Sequence, residues 1–473
     1  MKAFLIAGTA SGVGKTTVSL ALCAAFRERG LRVQAFKCGP DFLDTGHLSA
    51  ISGRAARNLD SWMLDEQSNR DIFARGAANA DIAIVEGMMG LFDGVSGGGE
   101  KGSAAEIAKL LSLPVILVLD ASKSARSLAA VIHGFETFDP QLRFAGLVLN
   151  QVAGDSHYRL LRDAIGSTSR TPLLGWLPRD EAVAIPERHL GLRTAEEESS
   201  PDEKRRSFAA FAEKHLALDR LLDTEDAGPQ TAPTITRSPA RISLGVARDP
   251  AFCFYYQDNL DLLEAAGAKI VAFSPLSDSA LPPGLDALYL GGGYPEVYAE
   301  QLSSNRGFLA SLQSFAQSGR PIYAECGGMM YLAEELCTRE GHAFSMASIL
   351  PLRIEMTERL VRFGYVEVEF AQDCFLAGKS TVARTHSFHY SRATPTGELS
   401  APFQARYSLS GLNDSEGCLL GNVLASYFHL HFAGNPAMAE AFVQASDDVK
   451  HSLTELVSTC SVQHGSMRPP DHP

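Results

Sequence analysis

The 473-residue sequence contains no run of about 18 apolar residues, no C-x-x-C pair and no excess of basic side chains. The first absence argues against a helical membrane span. Lys and Arg number 42 against 55 Asp and Glu, and the formal net charge is −13. This balance excludes a general affinity for nucleic acid or for an acidic membrane surface, because both interactions depend on positive charge. It leaves room for a local basic pocket that binds an anionic ligand.

The eight cysteines are scattered along the chain without paired spacing. We therefore predict reduced thiols in a cytoplasmic protein, and neither a disulfide framework nor a zinc site. The N-terminal stretch MKAFLIAGTASG has a short apolar run that Gly8 interrupts. This pattern favours a first β-strand over a signal peptide.

The first half of the sequence alternates short apolar runs with helical patterns. The runs predict strands of a parallel sheet that is covered by helices on both faces, and they span 3–8, 32–37, 81–87, 114–120, 144–152 and 172–178. A second alternation begins at residue 242, after a stretch (223–240) that is rich in Pro, Thr and Gly. A chain of this length is too long for one core. We predict the α/β class, with two three-layer α/β domains joined by a linker at 223–240.

The predicted strand at 3–8 leads into GTASGVGKTTVSL, which resembles a phosphate-binding loop with one extra residue. The loop follows a predicted strand and precedes a predicted helix, whose N-terminal N–H groups bind phosphate well. Lys15 would reach the β- and γ-phosphates of a nucleotide, and Thr16 would hold Mg²⁺. A glycine-rich turn with an exposed lysine is the alternative. The residues predicted to bind ATP are Gly8, Gly12, Gly14, Lys15, Thr16 and Thr17.

Acidic residues follow the next two predicted strands. Asp41 and Asp44 lie in AFKCGPDFLD, where a lysine precedes them, and Glu86 and Asp93 lie in IVEGMMGLFDG. Taken singly, each acid would more often cap a helix or carry a solvated loop charge. After successive strands and beside a phosphate loop, they indicate a ligand site at the carboxyl edge of the sheet.

In the second half, PIYAECGGMMYL places Cys326 between a predicted strand and a predicted helix. Small residues behind the thiol permit a tight turn, and we expect the helix N-terminus to favour the thiolate. The amides of Gly292, Gly293 and Gly327 are the candidate donors to an oxyanion. A buried structural thiol is the alternative interpretation.

His429 in LASYFHLHF is the candidate base that activates Cys326. It lies about a hundred residues after the cysteine, which is the order found in class I glutamine amidotransferases. Those enzymes read H-x-E at this point, whereas this chain reads His429-Leu430-His431. The sequence therefore leaves open what orients the imidazole.

Several stretches in order resemble one family. The spacing G-x5-G-K-T-T is similar to the dethiobiotin synthetase group of P-loop proteins. KCGPDFLDTGHL, VEGMMGLFDG and PERHLGLRTA resemble the synthetase half of the cobyrinic acid a,c-diamide synthase family, and the likeness runs over roughly residues 1–440. That family and the cobyric acid synthases also lack the carboxylate of H-x-E.

The resemblance implies a domain arrangement and roles for the acids. It implies a P-loop ATP-dependent synthetase domain at 1–222, a glutamine amidotransferase domain at 241–445 and a disordered tail at 446–473. Asp41, Asp44, Glu86 and Asp93 would surround the ATP, the metal and an acyl phosphate, with Glu86 joining Thr16 at the Mg²⁺. Phe42 and Leu43 would lie near the substrate. Asn150 would either touch the purine or occupy an ordinary turn.

The implied reaction is the ATP- and glutamine-dependent amidation of two acetate carboxylates of cobyrinic acid, a corrinoid. Its partners are the corrinoid, ATP and L-glutamine, and the oligomeric state stays open, with a homodimer as one option. Hydrogenobyrinic acid, nickel-sirohydrochlorin and the carboxylates used by cobyric acid synthases are alternative targets. The alternative from another class is a nucleotide-switch ATPase fused to an inactive amidotransferase-like domain.

Overall fold

The computed structural model describes residues 1–185, 187–188, 191–226 and 236–464 of the chain. The described residues up to 226, together with Tyr256–Asp258, form one compact unit. Those at 236–255 and 259–464 form a second. Part of the PERHLGLRTA stretch, residues 227–235 of the predicted linker and residues 465–473 of the predicted tail lie outside the described residues.

The first unit is built on a seven-stranded sheet with the strand order β3-β2-β4-β1-β5-β6-β7, in which every pairing is parallel. Its strands consist largely of buried apolar residues, because helices cover the sheet. The strands are β1 Lys2–Gly8, β2 Val33–Cys38, β3 Arg57–Leu59, β4 Ile82–Glu86, β5 Val115–Asp120, β6 Phe144–Asn150 and β7 Leu173–Leu177, and a separate pair comprises β8 Glu187–Arg188 and β9 Gly191–Leu192.

The first six helices of the first unit connect successive strands of the parallel sheet, and the last two follow its final strand. Helix α1 packs a continuous apolar face into the core that also contains the strand residues Phe4 and Ile84. The helices are α1 Lys15–Glu28, α2 Leu43–Ser52, α3 Glu66–Ala77, α4 Ala104–Leu110, α5 Ser127–Phe138, α6 Asp155–Gly166, α7 Pro201–His215 and α8 Leu218–Leu222.

The second unit combines a mostly parallel sheet with smaller antiparallel sheets. The main sheet has the order β11-β10-β12-β13-β23-β22, and only its last pair is antiparallel. Its strands are β10 Ile242–Ala247, β11 Ala268–Phe273, β12 Ala287–Leu290, β13 Ile322–Glu325, β22 Cys418–Leu420 and β23 Val423–Ser426. The helices are α9 Gln257–Ala266, α10 Ala299–Ser304, α11 Arg306–Gln317, α12 Gly327–Leu332 and α13 Ala437–His464.

Two smaller sheets extend the second unit. Their orders are β15-β14-β16-β19 and β21-β20-β17-β18-β24, and the second is antiparallel throughout. Their strands are β14 Glu335–Cys337, β15 Ala343–Ser345, β16 Leu352–Met356, β17 Arg362–Phe370, β18 Val382–His389, β19 Ser391–Pro395, β20 Phe403–Tyr407, β21 Asn413–Glu416 and β24 His429–Leu430.

The prediction of a disordered tail at 446–473 is wrong for residues 446–464, which the structure describes. Helix α13 continues through residue 446 to His464. Ser446 is fully buried, and its hydroxyl donates to Phe442 O. One turn later, Lys450 Nζ donates to Arg241 O and to an Asp286 carboxylate oxygen at 3.1 Å. These contacts hold one face of the helix against the unit, which the polar composition of the segment did not indicate.

None of the described helices combines the length and the apolar character that a membrane crossing requires.

Candidate active sites

The phosphate-loop motif lies between β1 and α1, as predicted. Gly12 and Gly14 adopt left-handed φ values of 77° and 100°. A Cβ at Gly14 would lie only 2.0 Å from Asn150 Nδ2, so a larger residue does not fit there. Lys15 Nζ donates to Ala10 O at 3.0 Å, which folds the lysine back over the loop. Gly8 ends β1, and Thr16 and Thr17 lie in the first turn of α1.

Asn150 ends β6 and holds the loop from the neighbouring strand. Its Nδ2 donates to Val13 O at 2.9 Å, and the residue is buried. Of the two sequence-based interpretations, this contact favours a structural role in shaping the loop. The contact to a purine stays a prediction.

Residues after three different strands meet beside the loop. Thr16 Oγ1 donates to Glu86 Oε1 at 2.7 Å and is 3.4 Å from Asp44 Oδ1. Lys37 Nζ, from β2, is 2.6 Å from Asp44 Oδ2 and 2.9 Å from Glu86 Oε1. The parallel topology brings these side chains to the carboxyl edge of the sheet, as expected. The motifs predict no role for Lys37, although a lysine inside an apolar strand indicates a buried ion pair.

Burial and charge shift the ionisation of this cluster. Burial raises the pKa of Glu86 to about 7, even though the Lys37 ammonium opposes that shift. Burial would lower the pKa of Lys37, but Glu86 and Asp44 raise it well above its usual value. The same ammonium holds the pKa of Asp44 below its usual value against the effect of burial. Burial also lowers the pKa of Lys15. The cluster therefore contains a lysine that is permanently charged and a carboxyl group that titrates near neutrality.

The oxygen donors of this cluster fit a magnesium ion. Glu86 Oε2 is buried and has no hydrogen-bond partner among the described residues. It belongs to the same carboxylate that accepts the Thr16 hydroxyl, and hydroxyl and carboxylate oxygens are ligands that Mg²⁺ prefers. No group of three His, Cys, Asp or Glu side chains in the described part of the chain could hold a metal by itself. An ion here would depend on ligands from phosphate and water as well.

The other predicted residues of this site contribute to its turns. Asp41 Oδ1 accepts the Asp44 N–H at 2.8 Å, and Asp93 Oδ2 accepts the Gly90 N–H at 2.8 Å. Burial raises the pKa of Asp41 to about 6. Phe42 and Leu43 are half-buried at the start of α2. Their predicted roles toward phosphate and substrate stay predictions.

In the second unit, Cys326 forms a strained turn between β13 and α12. Its φ and ψ are 45° and −102°, which a residue with a side chain rarely adopts. The Cys326 N–H donates to Ser426 O of β23 at 2.7 Å and thereby fixes the turn. A Cβ at Gly328 would lie 2.3 Å from Leu290 O, so the start of α12 can approach the sheet only without a side chain. This geometry resembles a nucleophile elbow.

The expectation that the helix N-terminus favours the thiolate is wrong for the protein without substrate. Burial raises the pKa of Cys326 to about 12, and the charge of Glu296 adds to that effect. The Gly327 N–H opposes the shift, but α12 spans only six residues and burial outweighs it. The thiol is therefore protonated at neutral pH, and a base must remove its proton when substrate binds.

The predicted oxyanion donors separate into two groups. The Gly292 N–H donates to Phe254 O at 3.3 Å, so a substrate oxyanion would have to compete for it, and its predicted role stays a prediction. The lack of a side chain at Gly292 also makes room for the imidazole, because a Cβ there would lie 2.5 Å from His429 Cε1. Gly293 and Gly327 are adjacent, since a Cβ at Gly327 would lie 3.0 Å from Gly293 N. These two residues also remain candidate donors.

The structure also contains the carboxylate that the sequence analysis did not find. Glu325 Oε2 lies 3.6 Å from His429 Nδ1, and both side chains are buried. Glu325 ends β13 and immediately precedes Cys326. A glutamate within the otherwise apolar run PIYAE was the available signal, because an unpartnered charge is rarely buried in such a strand.

Family models match both units. Residues 4–192 match a model described as the CobQ/CobB/MinD/ParA nucleotide binding domain. Residues 243–437 match a model described as the CobB/CobQ-like glutamine amidotransferase domain. The first match includes the phosphate loop, and the second includes Cys326 and His429.

Curated relatives are similar along nearly the whole chain. The cobyrinate a,c-diamide synthase of Syntrophotalea carbinolica is 45% identical over 448 residues, which cover 93% of this chain and 97% of the relative. The protein of the same name from Salmonella typhimurium is 44% identical over 452 residues, covering 94% and 98%. That from Dehalococcoides mccartyi strain 195 is 41% identical over 452 residues, covering 93% and 97%.

We expect Cys326 to react slowly with iodoacetamide at pH 7 in the absence of glutamine. Because its pKa is raised to about 12, the thiolate fraction and the rate should rise about tenfold per pH unit from pH 7 to 10, without a plateau. Mass spectrometry of the peptide that contains Cys326 measures this rate, with the unfolded chain as the reference. A plateau near pH 7 would contradict the expectation.

Proposed function

The chain belongs to the cobyrinate a,c-diamide synthase family, and from this membership we propose that it converts two acetate carboxylates of cobyrinic acid into amides, using ATP and glutamine. One observation carries the proposal. A phosphate loop with a buried acidic cluster and a cysteine in a nucleophile-elbow turn lie on one chain that matches diamide synthases over nearly its whole length. An ATP-dependent amidoligase needs both kinds of site.

The first site would activate the carboxylate. An ionised carboxylate reacts poorly with ammonia because its oxygens are poor leaving groups. Transfer of the γ-phosphoryl group of ATP to it would form an acyl phosphate, from which ammonia displaces phosphate. Lys15, the loop amides and Lys37 supply the positive charge that phosphoryl transfer requires.

We assign the magnesium ligands to Thr16 and Glu86. The Thr16 hydroxyl and the buried Glu86 Oε2 support this assignment, because both are hard oxygen donors beside the loop. Magnesium held there would neutralise phosphate charge. Asp44 and Lys37 would fix the orientation of the Glu86 carboxylate, and Asp41 and Asp93 would shape the adjoining turns.

The second site would release ammonia from glutamine. Cys326 would attack the side-chain amide carbon after His429 takes the thiol proton, and the amides of Gly293 and Gly327 would stabilise the developing oxyanion. The resulting thioester would lose ammonia first and glutamate after hydrolysis. The raised pKa of Cys326 supports the need for His429 as a base, since the thiol does not ionise unaided at neutral pH.

Location and assembly stay predictions. The seven cysteines whose side chains the structure describes form no disulfide, which is compatible with the predicted cytoplasmic location. A homodimer is one option for the assembly.

We expect wild-type protein with MgATP and glutamine to add two amides to cobyrinic acid, as measured by mass spectrometry. The Cys326→Ala variant should lose glutamine-dependent amidation because it has no nucleophile, yet keep amidation when ammonium chloride is supplied. Cys418→Ala, which removes another buried thiol, is the matched control and should keep both activities.

Other outcomes of that experiment would indicate a different substrate or a different reaction. Amidation of hydrogenobyrinic acid or nickel-sirohydrochlorin, but not of cobyrinic acid, would keep the amidoligase and change its substrate. Addition of four amides would favour a cobyric acid synthase. ATP hydrolysis without glutamate release would contradict the proposal and favour a nucleotide switch.

The Glu86→Gln variant should lose about 100-fold or more of the ammonium-dependent amidation rate. It removes the charge of a proposed magnesium ligand, and single groups that stabilise a developing charge are worth about 3–4 kcal/mol. Glutamate release by the same variant, measured without corrinoid, should stay within threefold of wild type. Glu66→Gln is the control because that side chain is exposed at the start of α3. A loss of less than threefold for Glu86→Gln would refute the assignment.

A further inference from the structure

Glu325 is a buried carboxylate that directly precedes the proposed nucleophile in the chain and faces the proposed base. It is the last residue of β13, and Cys326 follows it directly. Its Oε2 lies 3.6 Å from His429 Nδ1, and the two side chains are 1% and 3% exposed. The separation exceeds a hydrogen bond, but contacts of this kind are often long in proteins without substrate.

Three donors hold the Glu325 carboxylate in place. Tyr289 OH donates to Oε2 at 3.0 Å, and Tyr323 OH donates to Oε1 at 2.7 Å. The Leu430 N–H donates to Oε1 at 3.1 Å. Burial raises the pKa of both tyrosines well above its usual value, so their hydroxyls remain protonated donors. The last contact fixes the carboxylate to the backbone of the residue that follows His429.

His431 stands where class I enzymes have a carboxylate, and it performs a different task. Its Nδ1 accepts the Ala433 N–H at 3.3 Å and caps the short 3₁₀ turn Phe432–Gly434. This atom is therefore directed at its own turn. The carboxylate that faces His429 comes instead from the strand that carries the nucleophile.

We propose that Glu325 is the positioning residue for His429 and keeps the imidazole proton on Nδ1. The inference rests on the proposed glutaminase activity of Cys326 and His429. With Nδ1–H facing Glu325, Nε2 has a lone pair and accepts the Cys326 proton. The imidazolium that forms lies beside a negative charge, and its Nε2 proton then passes to the departing ammonia. In the second half-reaction, Nε2 takes a proton from water and returns it to the thiolate.

The neighbouring rings of His386 and His389 do not supply that charge. The His386 ring stacks on that of His429 with centroids 4.9 Å apart, and His389 and His431 lie nearby. Burial lowers the pKa of His386 well below its usual value and that of His389 to about 4. Those two rings are therefore neutral between pH 6 and 9, whereas Glu325 offers an acceptor to Nδ1.

The test is the Glu325→Gln variant. Its amide group would donate toward His429 Nδ1 and move the imidazole proton to Nε2, which can then no longer accept the thiol proton. We expect kcat for glutamate release to fall about 10²- to 10⁴-fold, as when a wrong tautomer is imposed on a catalytic histidine. KM for glutamine should change less than threefold, and ammonium-dependent amidation should change less than twofold.

Glu416→Gln is the matched control because it also replaces a carboxyl group with a buried oxygen in the same unit, one that accepts a backbone N–H from Tyr427 and not a contact from His429. Burial raises the pKa of Glu416 to about 8, so glutamine mimics its protonated form at pH 7. It should lose less than threefold in kcat. Equal kcat values for the two variants would overturn the proposal.

A second measurement uses the wild-type protein and does not depend on the folding of a variant. The ¹⁵N chemical shifts of the His429 ring, identified by comparison with His429→Gln, should show a proton on Nδ1 and none on Nε2. A proton on Nε2 would overturn the role of Glu325. Failure of the proposed glutaminase function can be distinguished from failure of the Glu325 proposal. In the first case, Cys326→Ala would continue to release glutamate from glutamine.

Discussion

A carboxylate that is removed from water needs hydrogen-bond donors or an opposite charge, and this requirement shapes both candidate sites. In the first unit, Glu86 is fully buried and depends on the Lys37 ammonium and the Thr16 hydroxyl. In the second, Glu325 depends on two tyrosine hydroxyls and one backbone amide. Each set of partners comes from more than one element of the fold, so the carboxylate fixes neighbouring elements at the edge where ligands would bind.

The parallel sheets could be predicted because strands that are buried on both faces consist of nearly continuous apolar residues. The predicted runs at 3–8 and 114–120 coincide closely with β1 and β5. The strand β3 was missed because Arg57–Leu59 is three residues long and contains two polar side chains. The predicted helix after Cys326 is short and ends at Leu332, since Glu335–Cys337 pairs with two other strands. Such pairings over long sequence distances leave no local pattern.

In both candidate sites, the sequence predicts the residues that a motif places directly after a strand. The meeting of Thr16, Asp44 and Glu86 follows from parallel topology alone. The protonation state of Cys326 could not be predicted from the motif, because the pKa of the thiol depends on how much water the folded unit excludes from it. The contact of Glu325 with His429 joins residues about a hundred positions apart, and the motif suggested position 431 instead. The binding roles of the predicted residues stay predictions.

The central claim is that one chain transfers glutamine nitrogen to a carboxylate that ATP has activated. The most direct test supplies [amide-¹⁵N]glutamine and MgATP with cobyrinic acid, and measures ¹⁵N in the product together with the ADP formed. The account predicts two ¹⁵N amides per corrinoid and one ADP for each amide. Glutamate release and ADP formation without ¹⁵N in the corrinoid would contradict it.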